Sequence, residues 1–193
     1  MDTEKGKVLS GYLDRQMLIA MPGMVDGNFT RSVTLLCQHN EDGAIGITIN
    51  RLSDFSLGEV LAQLHIDCQD ESIRNLPGVE GGPVAPDRGF VLHTPLEGFE
   101  SSLPVGKEIM VTTSRDILAA IASGKGPEKY LVALGYAGWG GGQLEGEMRQ
   151  NAWLSVEADS NIVFDMPLPN RFDGALGCLG IKVDRLHAEG GHA

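Results

Sequence analysis

The chain predicts an α+β fold, on three observations. Runs rich in β-branched residues are interspersed with short segments at helical spacing, in a count of roughly seven or eight strands and four helices. Residues 32–38 and 44–50 are β-rich runs joined by a short turn-forming loop, the pattern of an antiparallel hairpin. Residues 135–154, GYAGWGGGQLEGEMRQNAWL, read as strand, glycine turn, short helix and strand. Helices interrupt the strands too irregularly for the regular βαβ alternation of a doubly wound sheet.

In order, residues 1–14 are polar and expected to be a mobile segment, 15–186 to form a single domain, and 187–193 to be a polar tail. A first strand over 16–21 stops at Pro22 and Gly23. In the hairpin, Ile45, Ile47 and Ile49 share one face, with Gly46 and Thr48 on the other. Ser56 and Glu59 form a capping-box pattern in front of Leu57, Val60, Leu61 and Leu64, which predicts a helix. A strand is expected at 89–93, an irregular connection over 96–106 and another strand over 108–112. Thr113 or Ser114 caps a helix that Gly124 stops, with Asp116 near its positive end. Strands over 129–137, 153–156 and 162–164 and a helix from about Asp173 complete the reading.

Hydrophobic residues at 42% and charged residues at 21% place the chain among globular proteins with a sizeable core, far from the signature of disorder. A formal net charge of -11 opposes binding to phosphate backbones, so direct nucleic-acid binding is not expected. Cys37, Cys68 and Cys178 are odd in number and widely spaced, which suits a reducing compartment and a cytoplasmic location. The apolar piece at 17–21 is too short for a signal core or a membrane span.

Taken together, MPGMVDGNFTRSVTLLCQHNEDGAIGITIN at 21–50, GGPV and RGFVLH between Gly81 and His93, and the motif at 135–154 resemble the AlgH/YqgE family of bacterial proteins. Two positions depart from the family pattern, Leu52 after Asn50 and Arg51, and Gly141 among the motif glycines. The resemblance implies a mixed, bifurcated β-sheet curled into a partial barrel with flanking helices. It also implies a regulatory role, since one branch is labelled a regulator of alginate synthesis and of transcription, but it supplies no catalytic residue set.

Templates for chemistry fail on spacing. A phosphate loop G-x-G-x-x-G starting at Gly138 would need glycine where Gln143 stands, and Glu145 and Glu147 in the first turn would repel the anion. Gly124, Lys125 and Gly126 lack the Ser or Thr of a P-loop. The five histidines are scattered, with no C-x-x-C or H-E-x-x-H, so neither metal nor cofactor is expected. Cys37 and His39 would share a strand face, but Cys37 belongs to an apolar run, and no G-x-S-x-G occurs. Leu144 and Met148 at i, i+4 place Glu145 and Glu147 on a solvated helix face.

The resulting expectation is a non-enzymatic protein whose partner is another protein. Trp139, Gln143, Asn151 and His93 are the candidate binding residues. The rival readings are an enzyme or small-ligand binder around His93, Gln143 and Asn151, and, third, a direct DNA-binding regulator. Trp139, flanked by glycines in an expected turn, must either plug the sheet or stand out as a contact anchor; plugging is the expectation, as is a core position for Trp153.

Overall fold

The computed structural model describes residues 12–186; the remainder of the expected N-terminal segment and the tail at 187–193 lie outside them. The sheet grows from the hairpin. β1 (Gln16–Ala20), β2 (Val33–Asn40) and β3 (Gly43–Thr48) are antiparallel neighbours, and β2 and β3 turn through Glu41 and Asp42 alone, so the loop is shorter than expected and both strands reach further into the turn. Next come β4 (Leu52–Ser56), α1 (Leu57–Gln63), α2 (Glu71–Arg74), β5 (Pro77–Glu80), β6 (Val84–His93), β7 (Ser102–Pro104) and β8 (Met110–Thr112). They are followed by α3 (Arg115–Ala122), β9 (Tyr130–Gly140), α4 (Gln143–Arg149), β10 (Trp153–Glu157), α5 (Arg171–Cys178) and α6 (Val183–Leu186).

The main path runs β10-β1-β2-β3-β9-β6-β8-β7, with β4 and β5 branching from it. β9 is the fork. One of its edges pairs with β6, while the other pairs first with β5, in parallel at Ala133 and Leu134, and then with β3, antiparallel beyond Tyr136. Gly135, at φ 78°, sits at the split, where a Cβ would come 2.4 Å from the Gly82 carbonyl oxygen. No other residue type fits that conformation and that approach. The mixed, forked and curled sheet that the resemblance implied is present, as one α+β domain.

Helices cover the sheet where its side chains demand it. The Ser56 and Glu59 capping box forms with both of its bonds, and α1 buries Leu57 and Leu61. With Ile117, Leu118 and Ile121 of α3 they pack on Val91 and Val132. The opposite face carries the largest cluster, in which Met17, Leu35, Ile47 and Leu92 meet Phe172 and Leu176 of α5.

Three expectations are corrected. Residues 162–164 are no strand: Asn161–Asp165 is a π-helical turn, which sends the consecutive residues Ile162 and Val163 into the same core, as a strand's alternation could not. Trp139 lies on β9, paired with Ala44, rather than in a turn. A bulge between Leu36 and Gln38 breaks the alternation of β2, so Cys37 faces the α5 side while His39 pairs with Ala44 on the other, and the two do not share a face. Arg171, only 3% exposed, donates to the carbonyls of Met166 and Ile49, fastening α5 to the end of β3. Burial pulls its guanidinium down to about 10, still charged at neutral pH.

Candidate functional site

Two of the three segments that carry the family resemblance meet on the β3–β9 ladder, where Gly43 faces Gly140, Ala44 faces Trp139 and Ile45 faces Gly138, and the third adjoins it through Val84, paired with Tyr136. A Cβ on Gly43 would fall 2.1 Å from the Trp139 carbonyl oxygen, so glycine is what lets the hairpin turn lie against β9. On one side these glycines leave a shallow groove of about 470 Å³, edged by Gln38, Asp42, Ile45, Val84 and Tyr136. Ile45 and Val84 are 37% and 39% exposed there, beyond the reach of α5. The hairpin's Ile face is thus core at Ile47 and Ile49 but surface at Ile45.

The other side of the ladder is closed. Trp139 is buried, as expected for a plug, and its ring lies edge-on to that of Trp153 at 5.9 Å, with Phe29 stacked at 6.1 Å. α4 spans from β9 to β10 above them, with Gly142 at its N-cap and Leu144 buried. The first residue of α4 bonds back to the strand before it, since Gln143 Oε1 accepts the Gly140 N–H at 3.0 Å.

The carboxylates of α4 point inward, against the sequence expectation. Glu147 Oε2 accepts the indole N–H of Trp139 at 2.9 Å and that of Trp153 at 2.8 Å, and Oε1 accepts from Gln143 Nε2 at 3.1 Å. One carboxylate therefore satisfies two otherwise orphaned donors that come from different strands. Glu145 Oε1 lies 2.9 Å from His39 Nε2. Because His39 Nδ1 accepts the Leu13 N–H at 2.9 Å, it is the Nε2–H that donates to Glu145. The Glu145 carboxyl is held below its usual range by its own backbone N–H and then by His39. Asp14 accepts the His39 N–H and Tyr12 sets its ring edge on the imidazole, so Tyr12, Leu13 and Asp14, the described end of the polar segment, are tied down here.

Of the sequence candidates, Trp139 and Gln143 come together through Glu147, while Asn151 is exposed at φ 56°, in the left-handed conformation that stops α4. His93 stands apart. It pairs with Tyr130, ten residues along β9 from Gly140, a distance of up to roughly 30 Å at strand rise. It is fully buried and satisfied: Nδ1–H donates to the Thr94 carbonyl at 2.8 Å, and Nε2 accepts from the Thr112 hydroxyl at 2.7 Å. Burial lowers its pKa, so it is neutral. Burial pushes the Cys37 thiol up to about 12, which removes it as a nucleophile.

Sequence reasoning missed Glu145, Glu147 and His39. The signal available was Glu147 falling between the two tryptophans in sequence, with indole donors that burial would oblige some acceptor to meet. Among the described residues no group of three or more His, Cys, Asp or Glu is placed to hold a metal, and no helix is long and apolar enough to cross a membrane.

A sequence profile described as AlgH-like matches residues 17–184. UPF0301 proteins of Xanthomonas campestris pv. campestris and Xanthomonas oryzae pv. oryzae are each 50% identical over 186 residues, 96% of this chain and 99% of theirs. The solution structure of the AlgH protein from Pseudomonas aeruginosa aligns at TM-score 0.79 and 46% identity, covering 97% of this chain and 100% of that one. A crystal structure of a Corynebacterium diphtheriae protein, at 18% identity, shares the fold at TM-score 0.69 over 91% of this chain and 88% of its own.

Proposed function

Because the chain belongs to the AlgH-like family, a grouping that brings a shared fold rather than a reaction, we propose that it is a non-enzymatic regulatory protein of the cytoplasm that acts by binding another protein. The observation that carries this reading is the groove on the β3–β9 ladder. Ile45 and Val84 stand more than a third exposed on strands held rigid from behind by the Trp139–Trp153–Glu147 cluster. Apolar side chains presented on a stiff, uncovered sheet face are what a partner buries. The groups that chemistry would need are engaged elsewhere: Glu147 on two indoles, His39 between Leu13 and Glu145, His93 between Thr94 and Thr112. With a net charge of -11, a regulatory effect runs through a protein rather than through direct contact with duplex DNA.

The test is quantitative affinity capture from bacterial lysate with the native chain, Ile45→Asp and Val84→Asp in parallel. Both side chains are exposed, so each variant should melt close to the native protein. A partner retained by the native chain and lost from both variants is the expected result. Identical retention by all three overturns the reading, as does turnover of a small-molecule substrate by the purified protein.

A further inference from the structure

A second concavity lies further along the same two strands, between α1 and α3 above β6 and β9. It encloses about 420 Å³, within the range of small-molecule sites. Its lining is largely apolar, with Leu64, Leu118, Val132 and Leu134 beside the polar Gln63 and the 112–114 turn, and it also carries two opposite charges, Arg115 and Asp87. Arg115 is fixed in place by donating one Nη2–H to the Leu64 carbonyl at 2.9 Å, leaving the rest of its guanidinium fork directed elsewhere. No ion pair joins Asp87 and Arg115 among the described residues. A largely apolar cleft whose lining holds two charges of opposite sign that do not pair with each other is complementary to a ligand that carries both charges on one end and a hydrocarbon tail on the other.

We propose that this cleft binds a free apolar α-amino acid, its carboxylate on Arg115, its ammonium on Asp87 and its side chain against Leu118 and Val132. The proposal is independent of the groove and of the protein partner; binding here would give the regulatory protein a metabolite to respond to. A polypeptide N-terminus would offer the ammonium without the carboxylate, and a fatty acid the reverse, so neither satisfies both charges.

The experiment is a titration of isotope-labelled full-length protein with L-phenylalanine and L-leucine, followed by amide and methyl NMR shifts. Phenylalanine amide and N-acetylphenylalanine, each lacking one charge, serve as controls. Saturable shifts of the Leu64, Leu118, Val132 and Leu134 methyls are expected, with affinity weakened at least about tenfold for either blocked analogue and for either Arg115→Gln or Asp87→Asn, the loss of one charge-assisted bond. Both variants change exposed side chains and should keep the native melting temperature. Absence of saturable shifts up to about 10 mM, shifts centred outside the cleft, or equal binding of the blocked analogues overturns the proposal.

Discussion

Replacing Glu147 by Ala is the most direct test of how the site is held together. Its Oε2 is the recorded acceptor for the indole donors of Trp139, 6% exposed, and Trp153, 2% exposed. Leaving a buried donor without a partner costs about 1 to 3 kcal/mol, and bonds to a charged group lie at the upper end. Two such donors would give about 2 to 6 kcal/mol, but Glu147 is itself only half-buried, so water can enter behind a truncated side chain and the expected loss is about 2 to 4 kcal/mol. Ordinary surface substitutions move stability by about 0.5 kcal/mol or less, and Ala is a slightly better helix former than Glu, so the two cases separate cleanly. Urea unfolding followed by far-UV circular dichroism is the assay for every variant, with tryptophan emission as a second probe wherever a tryptophan remains, since the chain has two and both lie in this cluster. The control is a cycle with Trp139→Phe and Trp153→Phe, which delete the donors and keep most of the ring packing. In the double Phe background, Glu147→Ala should cost less than about 1 kcal/mol. A native-like stability for Glu147→Ala alone, or an undiminished cost in the double Phe background, would refute the reasoning.

Two further outcomes follow from buried titratable groups. His93 has its folded pKa lowered from the ordinary 6.5 by burial, so the unfolded chain takes up a proton that the folded one refuses. Stability should fall as pH drops below 6.5 toward the folded value, and His93→Gln should show a flatter profile between about pH 7 and 5 in thermal melts; an unchanged slope would contradict this. Cys37, with its thiol raised to about 12 by burial, should resist alkylation at pH 8 until denaturant is added, whereas the exposed Cys178 reacts in the native state. Mass mapping of the modified thiols decides it, and native-state labelling of Cys37 would show that β2 opens.

Much of the fold was legible because its signals are local. The capping box at Ser56 and Glu59, the Leu57–Leu61 spacing and the strand-to-helix passage after the motif glycines each depend on residues within a few positions of one another, and each is present. The short strands β4, β5 and β7 were not legible, since three to five residues form a strand only when a distant partner supplies the ladder. Residues 162–164 misled for the same reason, having strand composition but a core neighbour on one side only.

Family and α+β class could be read from composition and motif order without knowledge of neighbours, and the size of an indole favoured burial of both tryptophans, while an exposed anchor stayed open for Trp139 until the structure placed it inside. Where the polar groups point is set by contacts between elements distant in sequence. The periodicity of α4 cannot tell a solvated carboxylate from a buried acceptor, because that depends on which donors the curled sheet brings over the helix; here β9 and β10 bring two indoles onto Glu147. Likewise a bulge at Cys37 adds one residue to β2 and turns His39 to the opposite face, toward Glu145, and a change of one residue in a pattern of period two reverses every side chain beyond it.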